Sequence, residues 1–271
     1  MVSGPTQLSV RNLHKVFAGK SSTVEVLDGL SFDIHEQDFV SIIGPSGCGK
    51  TTIFNIIAGL IEPDAGSLVY RGEEIASLRG KVGYMMQKDL LFPWRTVLGN
   101  VLLGLEMRGI AHRTAVERAR EHLNAFGLSG FENAYPKTLS GGMRQRVALI
   151  RTLVMDPGIL LLDEPFSALD YQTRLYLEGV LKQAVETFKK TVVLVTHDID
   201  EAVALSKRVV VLSGRPAHVK AVHDIDIAEH SPIAARSDPR FAGYFRTLCG
   251  ELDIQTDAKQ PEIKQLETMA S

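Results

Sequence analysis

The order of hydrophobic and polar residues along the chain predicts strands alternating with helices. Near the start, 8–17 and 23–34 have the composition of strand-forming segments, and residues 19–22 form a turn signal between them. The run Phe39–Ile43 is short, mostly apolar and contains β-branched residues, which is typical of a buried strand. Residues 52–60 then follow the pattern of a largely buried helix.

Later strands are predicted where a short apolar run is bounded by turn or polar residues. The run 158–162 has no alternating polar positions, so we expect this strand to be buried on both faces. The predicted strands after the first helix are 67–70, 81–86, 158–162, 191–196, 209–213 and 219–223.

Between two of these strands, residues 96–126 change to a helical pattern. Thr96 is a suitable helix N-cap. Four apolar residues fall on one helical face, namely Val116, Ala119, Leu123 and Phe126. We interpret about 96–155 as a helical subdomain inserted into an α/β domain.

The domain organisation follows from where this pattern weakens. Residues 1–228 are predicted to form one domain that contains the helical insertion. Beyond Ala228 the hydrophobic pattern that predicts strands and helices weakens, so 229–271 is expected to be a C-terminal extension that is partly mobile. Its last part, 255–271, is polar enough to form a mobile tail.

Composition excludes several classes of protein. The chain has 271 residues, 45% hydrophobic and 23% charged, and a formal net charge of −2, which provides no general basic surface for nucleic acid. The two cysteines suggest reduced thiols and a cytosolic setting rather than a disulfide framework. Residues 1–7 lack the features of a signal peptide, and no apolar run approaches the ~18 residues that a membrane span needs. Any membrane role must therefore come through a partner.

A glycine-rich loop between the strand Phe39–Ile43 and the following helix carries the clearest chemistry. It fits the pattern G-x-x-x-x-G-K-[ST], whose backbone N–H groups and helix N-terminus bind phosphate oxygens. Lys50 would reach the β- and γ-phosphates, and the Thr51 hydroxyl would hold Mg²⁺. The sequence therefore predicts a nucleoside triphosphate site made by Gly44, Pro45, Ser46, Gly47, Cys48, Gly49, Lys50, Thr51 and Thr52.

Acidic residues and a histidine follow two other predicted strands. Asp163 and Glu164 come directly after 158–162, at the end of the strand where open α/β sheets bind their ligands. Asp163 would reach Mg²⁺, and Glu164 could orient or deprotonate an attacking water. His197 follows the strand 191–196, and from its position alone a structural and a catalytic role are about equally supported.

Two further features gain no firm role from pattern alone. Gln87 follows the strand 81–86, where a solvated glutamine is the ordinary case. Ser140, Gly141 and Gly142 form a helix start that could bind an anion, but a simple N-cap explains them equally well.

Taken together, the motifs resemble the nucleotide-binding subunits of ATP-binding cassette (ABC) transporters. The resemblance spans 8–213, and the motifs occur in the order and spacing of that family. They are Walker A at 44–52, the Q-loop glutamine Gln87, the signature at 139–145, Walker B at 159–164, the D-loop at 167–170 and the switch histidine His197.

This resemblance implies the fold and the role of each site residue. The fold would be a P-loop NTPase core, a mixed sheet flanked by helices, with an N-terminal antiparallel β part and the inserted helical subdomain. Phe17 would stack on adenine in place of the more common tyrosine. Glu164 would be the general base, His197 would contact the γ-phosphate, and Gln87 would bind Mg²⁺ together with Thr51 and Asp163.

The resemblance also implies partners and a location. Two cassettes would pair head to tail, and the signature of each would close on the ATP held by the other through Ser140, Gly141, Gly142 and Gln145. Permease subunits would dock beside 91–95, a solute-binding protein would act with them, and nucleic acid would have no part. The chain would lie peripherally on the cytoplasmic face of the inner (plasma) membrane.

Two short segments narrow the resemblance further. Residues 91–97 and 212–216 are similar to the importers of nitrate, sulfonate, taurine and bicarbonate, although importers of pyrimidine precursors look alike here. A cytosolic ABC ATPase without a transporter remains an alternative, as does a module that binds ATP without hydrolysing it. The presence of Glu164 and His197 favours an active ATPase.

Overall fold

The computed structural model describes residues 4–19, 22–167, 169–227 and 231–254. Within these residues, the strands form two sheets with the orders β2-β1-β4-β5 and β10-β9-β3-β8-β7-β6. The strands are β1 (Thr6–Ala18), β2 (Thr23–His35), β3 (Phe39–Ile43), β4 (Ala65–Tyr70), β5 (Glu73–Ile75), β6 (Val82–Met85), β7 (Ile159–Asp163), β8 (Thr191–Val195), β9 (Arg208–Leu212) and β10 (Val219–Asp224). The helices are α1 (Lys50–Ile57), α2 (Val97–Met107), α3 (His112–Ala125), α4 (Gly141–Leu153), α5 (Tyr171–Thr187), α6 (Ile199–Leu205), α7 (Pro232–Arg236) and α8 (Phe241–Glu251), with a short 3-10 helix at Pro136–Thr138.

The six-stranded sheet is the centre of the molecule and aligns the strand ends that carry chemistry. β3, β6, β7, β8 and β9 run parallel, and only β10 is antiparallel at the edge. Every residue of β3, β7 and β8 is buried, which explains why their sequences do not alternate. Because parallel strands end at the same edge, the phosphate loop after β3, the acids after β7 and the histidine after β8 meet there.

The two faces of this sheet pack against different layers. Leu160 and Leu162 face a core shared with α2 to α5, whereas Ile159 and Leu161 face a core shared with α1 and the antiparallel sheet. The predicted strands, the mixed sheet and the N-terminal antiparallel part are confirmed. β5 was not anticipated, because it is only three residues long and two of them are glutamates.

The inserted subdomain is helical, as predicted, but its first part is divided. Thr96 is the N-cap of α2 and accepts a hydrogen bond from the Gly99 N–H. The helical pattern is interrupted before α3, where Gly109 adopts a φ of +69°. The predicted apolar face is buried at Ala119, Leu123 and Phe126, and Val116 is partly buried against the same core.

The described part of the C-terminal extension is folded. α7 and α8 pack against α6, and Phe241, Leu248 and Cys249 are buried in a core shared with Ile199 and Val203. The predicted tail 255–271 lies outside the described residues. In the part of the chain that the structure covers, no helix is long and apolar enough to cross a membrane.

Candidate nucleotide and catalytic site

The phosphate loop joins β3 to α1 and holds the predicted lysine at its centre. The Lys50 side chain is only 7% exposed, and its Nζ donates hydrogen bonds to the backbone oxygens of Gly44, at 2.7 Å, and Pro45, at 3.0 Å. Gly49 has a φ of +127°, and a Cβ atom there would lie 2.8 Å from the Val26 side chain. Only glycine allows the loop to pass this close to β2.

A cleft of about 460 Å³ opens beside this loop. Phe17 lies on its wall with 42% of its surface exposed, and Lys15 Nζ lies over its ring, 5.5 Å from the centroid. The cleft is lined by Phe17, Val24, Val26, Ser46, Gly47, Gly49, Lys50, Thr51, Thr52, Glu164, Val195 and Arg215. The structure therefore brings the predicted aromatic residue, most of the phosphate loop and the predicted base to one cleft. Gly44, Pro45 and Cys48 build the loop without lining it.

Two predicted metal ligands are in direct contact at the base of the cleft. The Thr51 hydroxyl donates a hydrogen bond of 2.9 Å to Asp163 Oδ2, and the Tyr84 hydroxyl lies 3.4 Å from the same oxygen. Burial raises the pKa of Asp163, and the hydrogen bond from Thr51 opposes that shift. A divalent cation beside this carboxylate would favour its charged form, which burial disfavours.

The next residue, Glu164, is held by two other predicted site residues. Its backbone N–H donates to the Val195 oxygen at 2.9 Å. Its φ of +46° lies in the left-handed region, so the extended backbone of β7 ends at this residue. Gln87 Nε2 donates to Glu164 Oε2 at 2.9 Å, and His197 Nδ1 lies 3.3 Å from Oε1. The carboxylate is therefore oriented from both sides. Gln87 contacts this carboxylate here, whereas its predicted Mg²⁺ role groups it with Thr51 and Asp163.

The signature residues form a helix start away from this cleft. Ser140 is the N-cap of α4, and its side chain accepts a hydrogen bond of 3.2 Å from the Met143 N–H. Ser140 and Gly141 are exposed, whereas Gly142 is buried and a Cβ atom there would lie 2.5 Å from Thr173 Cγ2. None of these residues lines the described cleft of the same chain.

Gln145, the fourth predicted signature residue, differs from the other three. Its side chain is only 7% exposed, and its Nε2 lies 3.5 Å from the backbone oxygen of Gln87. The structure therefore places this side chain inside the subdomain, behind the loop that carries Gln87.

Sequence reasoning missed Arg215 and Tyr84 as members of the site. Arg215 lines the cleft and donates hydrogen bonds to the backbone oxygen of Gly47, one of them 3.1 Å long. The signal was available, because Arg215 follows β9, and β9 pairs with β3 immediately before the phosphate loop. Tyr84 lies inside β6, where its hydroxyl could not be distinguished from that of any core tyrosine.

Comparisons with known proteins agree on one family. Residues 27–167, more than half of the chain, match the family described as ABC transporter. YtlC of Bacillus subtilis (strain 168), an uncharacterized ABC transporter ATP-binding protein, is 46% identical over 242 residues, which cover 89% of this chain and 93% of that protein. SsuB of Bacillus anthracis, an aliphatic sulfonates import ATP-binding protein, is 43% identical over 215 residues, which cover 79% of this chain and 84% of that protein.

A solved structure extends the agreement to the fold. The dimeric structure of MJ0796, described as a bacterial ABC transporter cassette, matches with a TM-score of 0.72 and 33% identity, covering 80% of this chain and 98% of that chain. A second structure of that cassette, in a post-hydrolysis state with ADP and Pi, matches equally well. Together with the strand-end site described above, these findings show that the chain belongs to the ABC transporter ATP-binding domains and is an ATPase with their P-loop fold.

Proposed function

We propose that this chain is the ATP-hydrolysing subunit of an importer for a small anionic solute of the nitrate, sulfonate, taurine or bicarbonate class. The observation that carries the catalytic part is the Glu164 carboxylate, held between Gln87 and His197 at the mouth of the phosphate cleft. The name of the sulfonate-import relative supports the importer part and the anionic solute class.

ATP binding would use the cleft from end to end. The adenine would stack on the exposed face of Phe17, and the phosphates would lie along the loop with Lys50 beside the β- and γ-phosphates. Thr51 Oγ1 and Asp163 Oδ2 are 2.9 Å apart. That distance is close to the roughly 3 Å between neighbouring ligands of an octahedral Mg²⁺ with bonds of about 2.1 Å, so the two residues fit this ion. Bound Mg²⁺ would supply charge neutralisation on the phosphate oxygens.

Hydrolysis would depend on Glu164 as the general base. Its carboxylate would accept a proton from the attacking water, and the bond between the β–γ bridging oxygen and the γ-phosphorus would break. Gln87 and His197 would hold the carboxylate in place, and His197, which is largely exposed, would also reach the γ-phosphate.

A second cassette would complete each site. Ser140 and Gly141 are exposed at the start of α4 and do not line the cleft of their own chain, so their N–H groups are available to a nucleotide held by a partner. The dimeric structure of the related cassette supports the pairing of two chains. Gln145 is buried, and we expect it to support the loop of Gln87 from behind rather than touch the partner's ATP.

The permease would dock on the aromatic surface next to the Q-loop. Phe92 and Trp94 stack with ring centroids 5.1 Å apart, and Trp94 is 71% exposed. An exposed aromatic pair beside the segment that carries Gln87 could connect permease movement to the Glu164 carboxylate. The chain would then lie on the cytoplasmic face of the inner membrane, with a solute-binding protein acting through the permease.

The variant Glu164→Gln tests both halves of the proposal. Gln keeps the size of the side chain and one acceptor oxygen but cannot accept the proton, so ATP binding should persist while turnover falls by roughly 10²–10⁴-fold. The variant should also accumulate as an ATP-bound dimer, measured by size-exclusion chromatography with light scattering. The matched control is Glu117→Gln on the exposed surface of α3, which should hydrolyse ATP normally.

An affinity-tagged form of Glu164→Gln, loaded with ATP, is then used in a pull-down from gently solubilised membranes. Recovery of a multi-span permease, followed by a solute-binding protein, would support the importer and lead to its solute. Recovery of ribosomal or DNA-repair proteins alone would replace it with the cytosolic ATPase. Turnover by Glu164→Gln at the wild-type rate would remove Glu164 from its proposed role.

A further inference from the structure

Arg215 lies at the open side of the nucleotide cleft, directly over the phosphate loop. It follows β9 in the segment 212–216, and it lines the cleft together with Lys50 and Thr51. Its guanidinium donates through both Nε and Nη2 to the backbone oxygen of Gly47, which is the middle residue of the loop. The cation is therefore held at the phosphate end of the cleft.

We propose that Arg215 is a nucleotide-binding residue that contacts the polyphosphate of ATP from the solvent side, opposite Lys50. This inference rests on ATP binding in the cleft described above. The segment 212–216, which carries Arg215, has no other role in the proposed hydrolysis.

The charges that line the cleft support this role. Lys50 and Arg215 are the cationic residues among the described lining residues, and Glu164 is the acidic one. A triphosphate brings several negative charges to this surface. Lys50 approaches the phosphates from the buried side, where the lysine ammonium already donates to two loop oxygens. A second cation on the exposed side would reduce the remaining charge of the nucleotide.

The geometry of the guanidinium leaves donors for this contact. Its hydrogen bonds to Gly47 use one edge of the group, the Nε and Nη2 side, and both end on the same oxygen. Arginine offers five N–H donors in a planar fork, so the Nη1 amino group remains available to a phosphate oxygen. The Gly47 carbonyl thus fixes the direction of the side chain before a nucleotide binds.

A purely structural role makes a different prediction. If Arg215 only secured the Gly47 carbonyl, a glutamine at this position could donate the same hydrogen bond, so Arg215→Gln would keep the affinity of the wild type and its dependence on salt. If its charge contacts phosphates, the loss must grow with the number of phosphates and must depend on salt.

The test measures dissociation constants of a non-hydrolysable ATP analogue, ADP and adenosine for the full chain and for Arg215→Gln, Arg215→Lys and Arg215→Ala. We expect Arg215→Gln and Arg215→Ala to weaken the ATP analogue by roughly fivefold, as for a partly exposed charge pair, and adenosine not at all. Arg215→Lys should retain most of the affinity. The wild-type constant should also rise more steeply with salt than that of Arg215→Gln.

Arg113→Gln is the matched control, because Arg113 lies on α3 outside the cleft and its side chain is 92% exposed. Equal affinity of all four chains for the ATP analogue would overturn the proposal, as would equal losses for adenosine and the analogue. Failure of the wild-type chain itself to bind the analogue would instead contradict the proposed ATPase function.

Discussion

At the scale of single residues, Glu201 is a carboxyl group buried close to the loop that carries His197. It lies in α6 and is 4% exposed, and burial raises its pKa to about 8. Its neighbours act in both directions on that pKa. A hydrogen bond from Thr196 and the charge of Arg174 lower it, whereas the carboxylates of Glu178 and Asp198 raise it further. Glu201 is therefore mostly protonated in the folded chain at neutral pH.

This raised pKa predicts how stability depends on pH. An unfolded glutamate releases its proton near its ordinary pKa of 4.5, whereas folded Glu201 retains it up to about 8. The stabilising contribution of the bound proton is complete below the lower value and is lost as pH rises through the upper one. Glu201→Gln, which is permanently neutral, should match the wild type near pH 5 and exceed its stability at pH 8.5 by an amount on the order of a few kcal/mol.

The measurement is urea unfolding of both chains between pH 5 and pH 8.5, with the exposed Glu117→Gln as control. Parallel stability curves for Glu201→Gln and the wild type would show that Glu201 titrates normally.

The sequence located the residues at strand ends but not those that act from inside an element. Asp163, Glu164 and His197 were predictable because each directly follows a buried apolar run, and parallel strands bring such positions together. Glu201 was not, because its burial depends on packing between α6 and the neighbouring helices. The contact of Gln87 with Glu164 likewise depends on a side-chain direction that no periodicity encodes.

At the scale of elements, one arginine connects the helices α5, α6 and α7. Arg236 of α7 donates to both carboxylate oxygens of Glu178 in α5, at 2.8 and 3.2 Å, and to Asp200 in α6 at 2.6 Å. The Glu178 side chain is fully buried, and burial raises its pKa although Arg236 opposes that shift. The C-terminal extension is therefore tied to the helix after the D-loop and the helix after His197.

Removal of this arginine should be costly for stability. Arg236→Ala leaves the Glu178 carboxylate buried without its cation, so we expect a loss of about 3–5 kcal/mol in the free energy of unfolding. The double variant Arg236→Ala/Glu178→Gln should recover part of it, because no buried charge remains. Denaturant unfolding measures both, and Arg240→Ala, an exposed arginine of the same extension, should change stability little. A loss in Arg236→Ala no larger than in this control would contradict the buried pair.

The kind of contact that holds each element decides whether that element could be predicted from the sequence. β3, β7 and β8 have apolar runs because both faces of the sheet are covered, so their pattern alone identified them. α7 has five residues and is tied to its neighbours through Arg236, a charged side chain that no hydrophobic period would indicate. Its position depends on tertiary contacts rather than on local pattern.

At the scale of the whole molecule, the proposed dimer would join two separate surfaces of the chain. The cleft contains Lys50 but none of the signature residues, and the start of α4 presents Ser140 and Gly141 to solvent. A symmetric head-to-tail dimer would place each signature on the partner's cleft and create two equivalent sites.

Two inactive variants should restore activity to each other when they are mixed. Lys50→Ala removes the lysine of the loop, and Gly141→Asp places a negative charge on the signature surface. The fold should tolerate Gly141→Asp, because the atom nearest to a Cβ at this position belongs to the Arg144 side chain and lies 3.9 Å away. Each variant alone damages both sites of a dimer. In a mixed dimer, the intact cleft of one chain meets the intact signature of the other, so random mixing should recover at most about a quarter of the wild-type ATPase rate. The control replaces either partner with the double variant Lys50→Ala/Gly141→Asp, which can form no intact site. No recovery with the single variants despite proven dimer exchange would contradict a site shared between two chains. Recovery with the double variant would mean that the restored activity does not come from such a site.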